Sequence, residues 1–190
     1  MKKLIQWCPL LVLGSPIANA QQEGNTDELK FRFDAGINYV STRHHEKIND
    51  PIPSYGDFET AMMLGLAVEQ AIDDKQSYGT KLELHRIDGN LLTTLRAIDY
   101  KYRLDNNWQV GGFLGAASYD FRTTSFGYTA GLGLFYQPAD WNNLGVSIEA
   151  QYVDKLARDK LHEDDVKGDN VGPDSFIDMQ AIVFAVTYSF

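Results

Sequence analysis

The sequence predicts an all-β fold, an eight-stranded antiparallel up-and-down transmembrane β-barrel. Three observations carry that prediction. Large apolar residues recur at every second position over eight stretches of about ten residues, the length a tilted strand needs to cross a bilayer. The chain opens on an export leader, and no later segment is long and apolar enough for a transmembrane helix. The connections alternate between long polar stretches and short turns, the asymmetry of barrels with outer loops and inner turns.

The leader is "MKKLIQWCPLLVLGSPIANA": two lysines, an apolar run from Leu4 to Leu13, and a small-residue end at Ala18-Asn19-Ala20. That run is too short to span about 30 Å of hydrocarbon as a helix, so cleavage after Ala20 is expected. The domain plan is a signal peptide at 1–20, a short periplasmic segment at 21–28, and one barrel domain at 29–190. Cys8 leaves with the signal, so the mature chain has no thiol and no disulfide. Loss of Lys2 and Lys3 takes the formal charge from -9 to -11. An acidic chain with no basic cluster is not a nucleic-acid binder.

The strands follow in order. "LKFRFDAGINY" sets Leu29, Phe31, Phe33, Ala35, Ile37 and Tyr39 on one face, with Lys30, Arg32, Asp34, Gly36 and Asn38 on the other. "TAMMLGLAVE" does the same with Met62, Leu64, Leu66 and Val68, and "SYGTKLELH" with Tyr78, Leu82 and Leu84. "AIDYKYRL" opposes Ile98, Tyr100, Tyr102 and Leu104 to Asp99, Lys101 and Arg103. "WQVGGFLGAAS" is the least regular. "TAGLGLFYQ" and "LGVSIEAQYV" complete seven, and the closing "SFIDMQAIVFAVTYSF" makes eight. The gaps on one side fall at about 41–57, 87–93, 120–126 and 154–174, and on the other at about 70–76, 105–107 and 138–143. A soluble sandwich would turn its apolar face inward. Eight rows of large side chains overfill a small barrel, whereas lipid accommodates them. Aromatics near strand ends (Phe31, Tyr39, Tyr78, Tyr102, Trp108, Tyr136, Tyr152, Tyr188 and Phe190) suit the two membrane interfaces.

The last strand carries Ile182, Phe184, Val186, Tyr188 and Phe190 on its apolar face. This ending resembles the C-terminal assembly signal of Gram-negative outer-membrane barrels. The chain from residue 29 onward resembles the small OmpA/OmpX-like outer-membrane β-barrel domains. The resemblance implies an outer-membrane location, contact with lipid and lipopolysaccharide, and recognition of Phe184, Val186, Tyr188 and Phe190 by the barrel-assembly machinery. It also implies that function resides in surface loops, here 41–57 and 154–174.

The inward face is rich in charge: Lys30, Arg32, Lys81, Lys101 and Arg103 with Asp34, Glu59, Glu69, Glu83, Asp99 and Glu149. An eight-stranded barrel has only side-chain-sized space inside, and unpaired buried ions cost several kcal/mol. Arg32, Asp34, Lys81, Glu83, Asp99, Lys101 and Glu149 are therefore expected to form a paired network that plugs the lumen. The alternative is a narrow, gated pore, with Gly131, Gly133 and Gly145 leaving space near Phe135.

No catalytic residue is assigned. The histidines are His44, His45, His85 and His162, and none lies in a His-x-Ser-Asn arrangement like that of the lipid A deacylases. A lipopolysaccharide-modifying enzyme is the less favoured alternative. Glu163, Asp164, Asp165, Asp169 and Asp174 crowd the last loop but lack the Asp-x-Asp-x-Asp-Gly order of an EF-hand. No metal site and no cofactor are assigned.

Overall fold

The computed structural model describes residues 29–45, 55–56, 58–121, 123–158 and 176–190. The expected signal peptide at 1–20, the segment 21–28, His162 and the acidic stretch 163–174 lie outside the described residues. Eight strands close into one antiparallel barrel in chain order. They are β1 (Leu29–His45), β2 (Glu59–Ala71), β3 (Gln76–Ile87), β4 (Asn90–Arg103), β5 (Trp108–Phe121), β6 (Thr123–Tyr136), β7 (Leu144–Arg158) and β8 (Phe176–Ser189). β1 pairs with β8, so no strand edge is left open.

The alternation places side chains as the pattern demands. Phe31, Leu64, Leu82, Leu114, Ile148 and Phe184 lie on the outer surface, while Asp34, Glu83 and Glu149 are buried within it. An outward apolar surface of this extent is stable only against hydrocarbon. Rings gather where the belt meets the short turns. Trp108 meets Tyr136 at 4.6 Å with the rings tilted by 45°, Tyr136 meets Trp141 edge-on at 5.7 Å, and Tyr188 meets Phe190 at 5.0 Å. The turns after β2, β4 and β6 mark the periplasmic end, because the two longest connections lie at the opposite end.

The strands exceed the expected ten residues, running from 12 in β3 to 17 in β1. Most of the expected gaps at 87–93 and 120–126 are strand. β3 and β4 meet in a tight hairpin at Asp88 and Gly89, whose φ angles are +46° and +80°. Two successive positive φ angles make the turn that matches strand twist, and Asp-Gly is its favoured sequence. The loops at 41–57 and 154–174 are also shorter than expected, since 41–45 belong to β1 and 154–158 to β7.

The registers are not uniform. β4 slips between Arg96 and Ile98 against β5, and between the partners of Gly79 and Lys81 against β3. The bulge leaves Ala97 and Ile98 both facing out. Odd-numbered residues point outward before it and even-numbered ones after it, as one extra residue in a period of two requires. β7 slips likewise between Val153 and Leu156, so both of those are buried.

Candidate functional site: the barrel interior

The interior has two storeys. Toward the extracellular end, Val40, Ala61, Ile87, Leu92, Ala117, Tyr119, Val153, Leu156, Ile177 and Met179 pack into one buried cluster. All eight strands contribute to it except β6, whose Ser125 and Thr129 are also buried. Met63, Val183 and Ala185 form a second apolar group on β2 and β8. These groups give the lumen an apolar lining at that level.

Toward the periplasmic end lies the charge. Lys81 Nζ sits 2.6 Å from Asp34, 2.9 Å from Glu83 and 3.7 Å from Glu149. Arg96 grips Glu83 with two bonds, Nε to Oε2 at 2.9 Å and Nη2 to Oε1 at 2.6 Å, and reaches Glu149 at 2.5 Å. Thr94 donates to Glu83 at 2.8 Å. Arg32 bonds Glu69 at 2.9 Å, and Lys101 bonds the same carboxylate oxygen at 2.5 Å. Asp99 is held more loosely, 3.9 Å from Arg32 and 3.8 Å from Arg96. The side chains of Lys81, Glu83, Arg96 and Glu149 are wholly inaccessible to solvent. Removing any one member therefore leaves an uncompensated ion in a dry space.

Arg32, Asp34, Lys81, Glu83, Asp99, Lys101 and Glu149 thus all lie inside the barrel. Three of the inward charges read from the sequence do not. Lys30, Arg103 and Glu59 are exposed, because they lie at strand ends beyond the enclosed layers. Lys101 pairs with Glu69 rather than with Glu83, Asp99 or Glu149.

Arg96 escaped the sequence reading. Counting back by twos from Ile98 turns Arg96 toward lipid, and only the bulge at Ala97 turns it inward. The Asp88-Gly89 hairpin would have started β4 at Asn90, and the interval of three between outward Leu95 and Ile98 would have shown the slip. His85 and Asn38 were also missed as a pair. They are fully buried, their side chains are hydrogen-bonded, and His85 Nε2 lies 3.6 Å from Glu83.

The inner glycines make room for rings. A Cβ on Gly131 would overlap the Phe113 ring, and one on Gly133 would crowd Phe135 and Glu149. The Arg96 guanidinium lies 3.6 Å from the Phe113 centroid, and Lys101 Nζ 4.8 Å from that of Phe135. Each cation thereby keeps a partner on a face that no carboxylate occupies. At the surface end, Arg43 bonds Asp178 at 2.7 Å and lies over Tyr55. No cluster able to hold a metal ion occurs among the described residues.

Phe184, Val186, Tyr188 and Phe190 line the outer face of β8. The Phe190 N–H donates to the Phe31 carbonyl at 2.9 Å, fastening the end of the chain to β1.

A closed eight-stranded sheet, apolar outside and packed with ion pairs inside, defines the class: an eight-stranded outer-membrane β-barrel. The comparison with solved structures agrees. The chain is similar to Ail, the attachment invasion locus protein of Yersinia pestis, with a TM-score of 0.52 and 12% identity over 85% of this chain and 98% of Ail. It is also similar to the outer membrane protein OprG from Pseudomonas aeruginosa, with a TM-score of 0.49 and 16% identity over 85% of this chain and 95% of OprG. At these identities the likeness is one of fold. No protein-family model matches the chain, and no curated protein does.

Proposed function

We propose that this protein is a non-conducting, non-catalytic barrel that serves the outer membrane as a structural element and through its surface loops. The carrying observation is the filled interior, with an apolar storey above an ionic one and both spanned by packed side chains. Bulk water cannot cross such a space without breaking pairs that cost several kcal/mol each to disrupt. Lipid and lipopolysaccharide are the partners of the outward belt. The barrel-assembly machinery is the partner of the Phe184, Val186, Tyr188 and Phe190 face. Surface partners engage the regions 41–57 and 154–174.

Single-channel recording in a planar bilayer tests the closed lumen. The folded protein is expected to give no steady current steps above the bare membrane, and a large, sustained current overturns the reading. Mass spectra of lipid A from cells with and without the protein test the absence of catalysis. Any mass change that depends on the protein assigns it an enzymatic role instead.

A further inference from the structure

We propose that the periplasmic mouth of the barrel is a binding site for a phosphate-type oxyanion. A cavity of about 100 Å³ opens there, between the turn after β2 and the inner ends of β1, β4 and β5. Its cations are Lys30, Arg32, Lys75, Lys101 and Arg103. Five positive groups around so small a space repel one another unless an anion lies between them.

The carboxylates that line the cavity are fewer than its cations. Glu69 takes both Arg32 and Lys101 on a single oxygen, and its other oxygen accepts from Ser77 at 2.6 Å. Asp73 is turned into its own loop. Its Oδ1 accepts from the backbone of Lys75 and Gln76, and its Oδ2 from the Gln76 amide. Asp74 is the third acid of the lining, so five cations and three carboxylates face the cavity, while Arg32 also pairs with Asp34 and Asp99 deeper in the barrel. At the floor, Arg32 is nine-tenths buried, and its Nε and Nη2 have no hydrogen-bond acceptor among the described residues. Asp34 and Asp99 lie 3.4 and 3.9 Å from these nitrogens and offer them charge without a bond.

The cavity is open to solvent and has room for one tetrahedral oxyanion. Guanidinium groups at the floor and rim, with ammonium groups between, suit a group that accepts several hydrogen bonds at once. The mouth opens to the periplasm at the edge of the inner leaflet, so the oxyanion is either a free phosphate or the phosphate of a phospholipid.

Calorimetric titration of the folded barrel in a phosphate-free maltoside detergent tests this with two probes. One is inorganic phosphate, and the other is a short-chain phosphatidylglycerol kept below its micelle concentration. The comparison variant is Lys30→Gln with Arg103→Gln, both exposed rim residues outside the ionic lattice, and Arg86→Gln at the far end of β3 is the charge control. Saturable binding that weakens about tenfold or more in the rim variant, and not in the control, supports the site. Binding of inorganic phosphate in that pattern identifies the free ion, and binding of the lipid alone identifies the headgroup. Absence of binding by both probes, or binding that the rim variant leaves unchanged, overturns it.

Discussion

Arg96 Nη2 lies 2.6 Å from Glu83 Oε1 across the β3–β4 pair, and the same guanidinium reaches Glu149 on β7 at 2.5 Å. One side chain therefore ties staves on opposite sides of the lumen. Arg96 is placed to do so by the register slip at Ala97, which turns it away from the lipid that its neighbour Leu95 faces.

Arg96→Ala is expected to cost on the order of 3–5 kcal/mol, because Glu83 and Glu149 then share only Lys81 in a dry interior. Reversible urea unfolding in lipid vesicles measures this. A change below about 1 kcal/mol would mean that water has entered the lattice and screens it.

In the proposed closed lumen the two storeys act in series. Glu83→Ala alone breaks the lower one and leaves Ile87, Leu92, Leu156 and Met179 packed above it. Its planar-bilayer conductance is expected to stay near background. Adding Leu92→Ser and Met179→Ser should admit water and raise the current, provided circular dichroism shows the barrel still folded. A current carried by Glu83→Ala alone would place the whole barrier in the ion pairs.

On the lipid side, Leu82→Arg or Ile148→Arg is expected to cost about 2–4 kcal/mol if near the bilayer midplane. Ser147→Ala, one residue from Ile148 but facing inward, loses only a 3.3 Å bond to Glu149 and should cost about 1 kcal/mol or less. Vesicle unfolding compares them, and equal costs would contradict the in/out assignment.

Phe190→Ala should reduce the amount reaching the outer membrane more than it reduces folding stability. Phe190 is 73% exposed, and among the described residues its ring meets that of Tyr188, while the backbone bond to Phe31 survives the substitution. Quantifying outer-membrane fractions beside unfolding in vesicles separates the two effects. Normal assembly of the variant would remove the terminal ring from the recognition signal.

Outside the bilayer, the Lys75 amide, joined by the Gln76 amide and side chain, holds the Asp73 carboxyl below the usual carboxylate range. A carboxyl lowered by folding stabilises its turn above the ordinary range, and the contribution is lost as pH falls through the lowered value. Protection of the Lys75 and Gln76 amides against exchange, relative to the intrinsic rate at each pH, should therefore persist through mildly acidic pH and fall only below it. Asp73→Asn should remove that pH dependence.

The sequence by itself determined the number of strands, their order and, away from the bulges, which residues face lipid. Period two is a local property, and each of Phe31, Leu64, Leu82, Ile148 and Phe184 could be assigned to the outer face from its neighbours alone. It also marked Lys81, Glu83 and Glu149 as inward charges, because they alternate with those residues. The tertiary structure decided the rest. Which cation meets which acid depends on how strands far apart in sequence are staggered around the closed barrel, and no local pattern encodes that. Bulges at Ala97 and after Val153 break the alternation by one residue, which brings Arg96 and Leu156 inside. The separation of an apolar storey from an ionic one likewise appears only when the strands are set side by side, since the apolar storey draws one or two residues from each of seven strands and the ionic one is gathered from β1, β2, β3, β4 and β7.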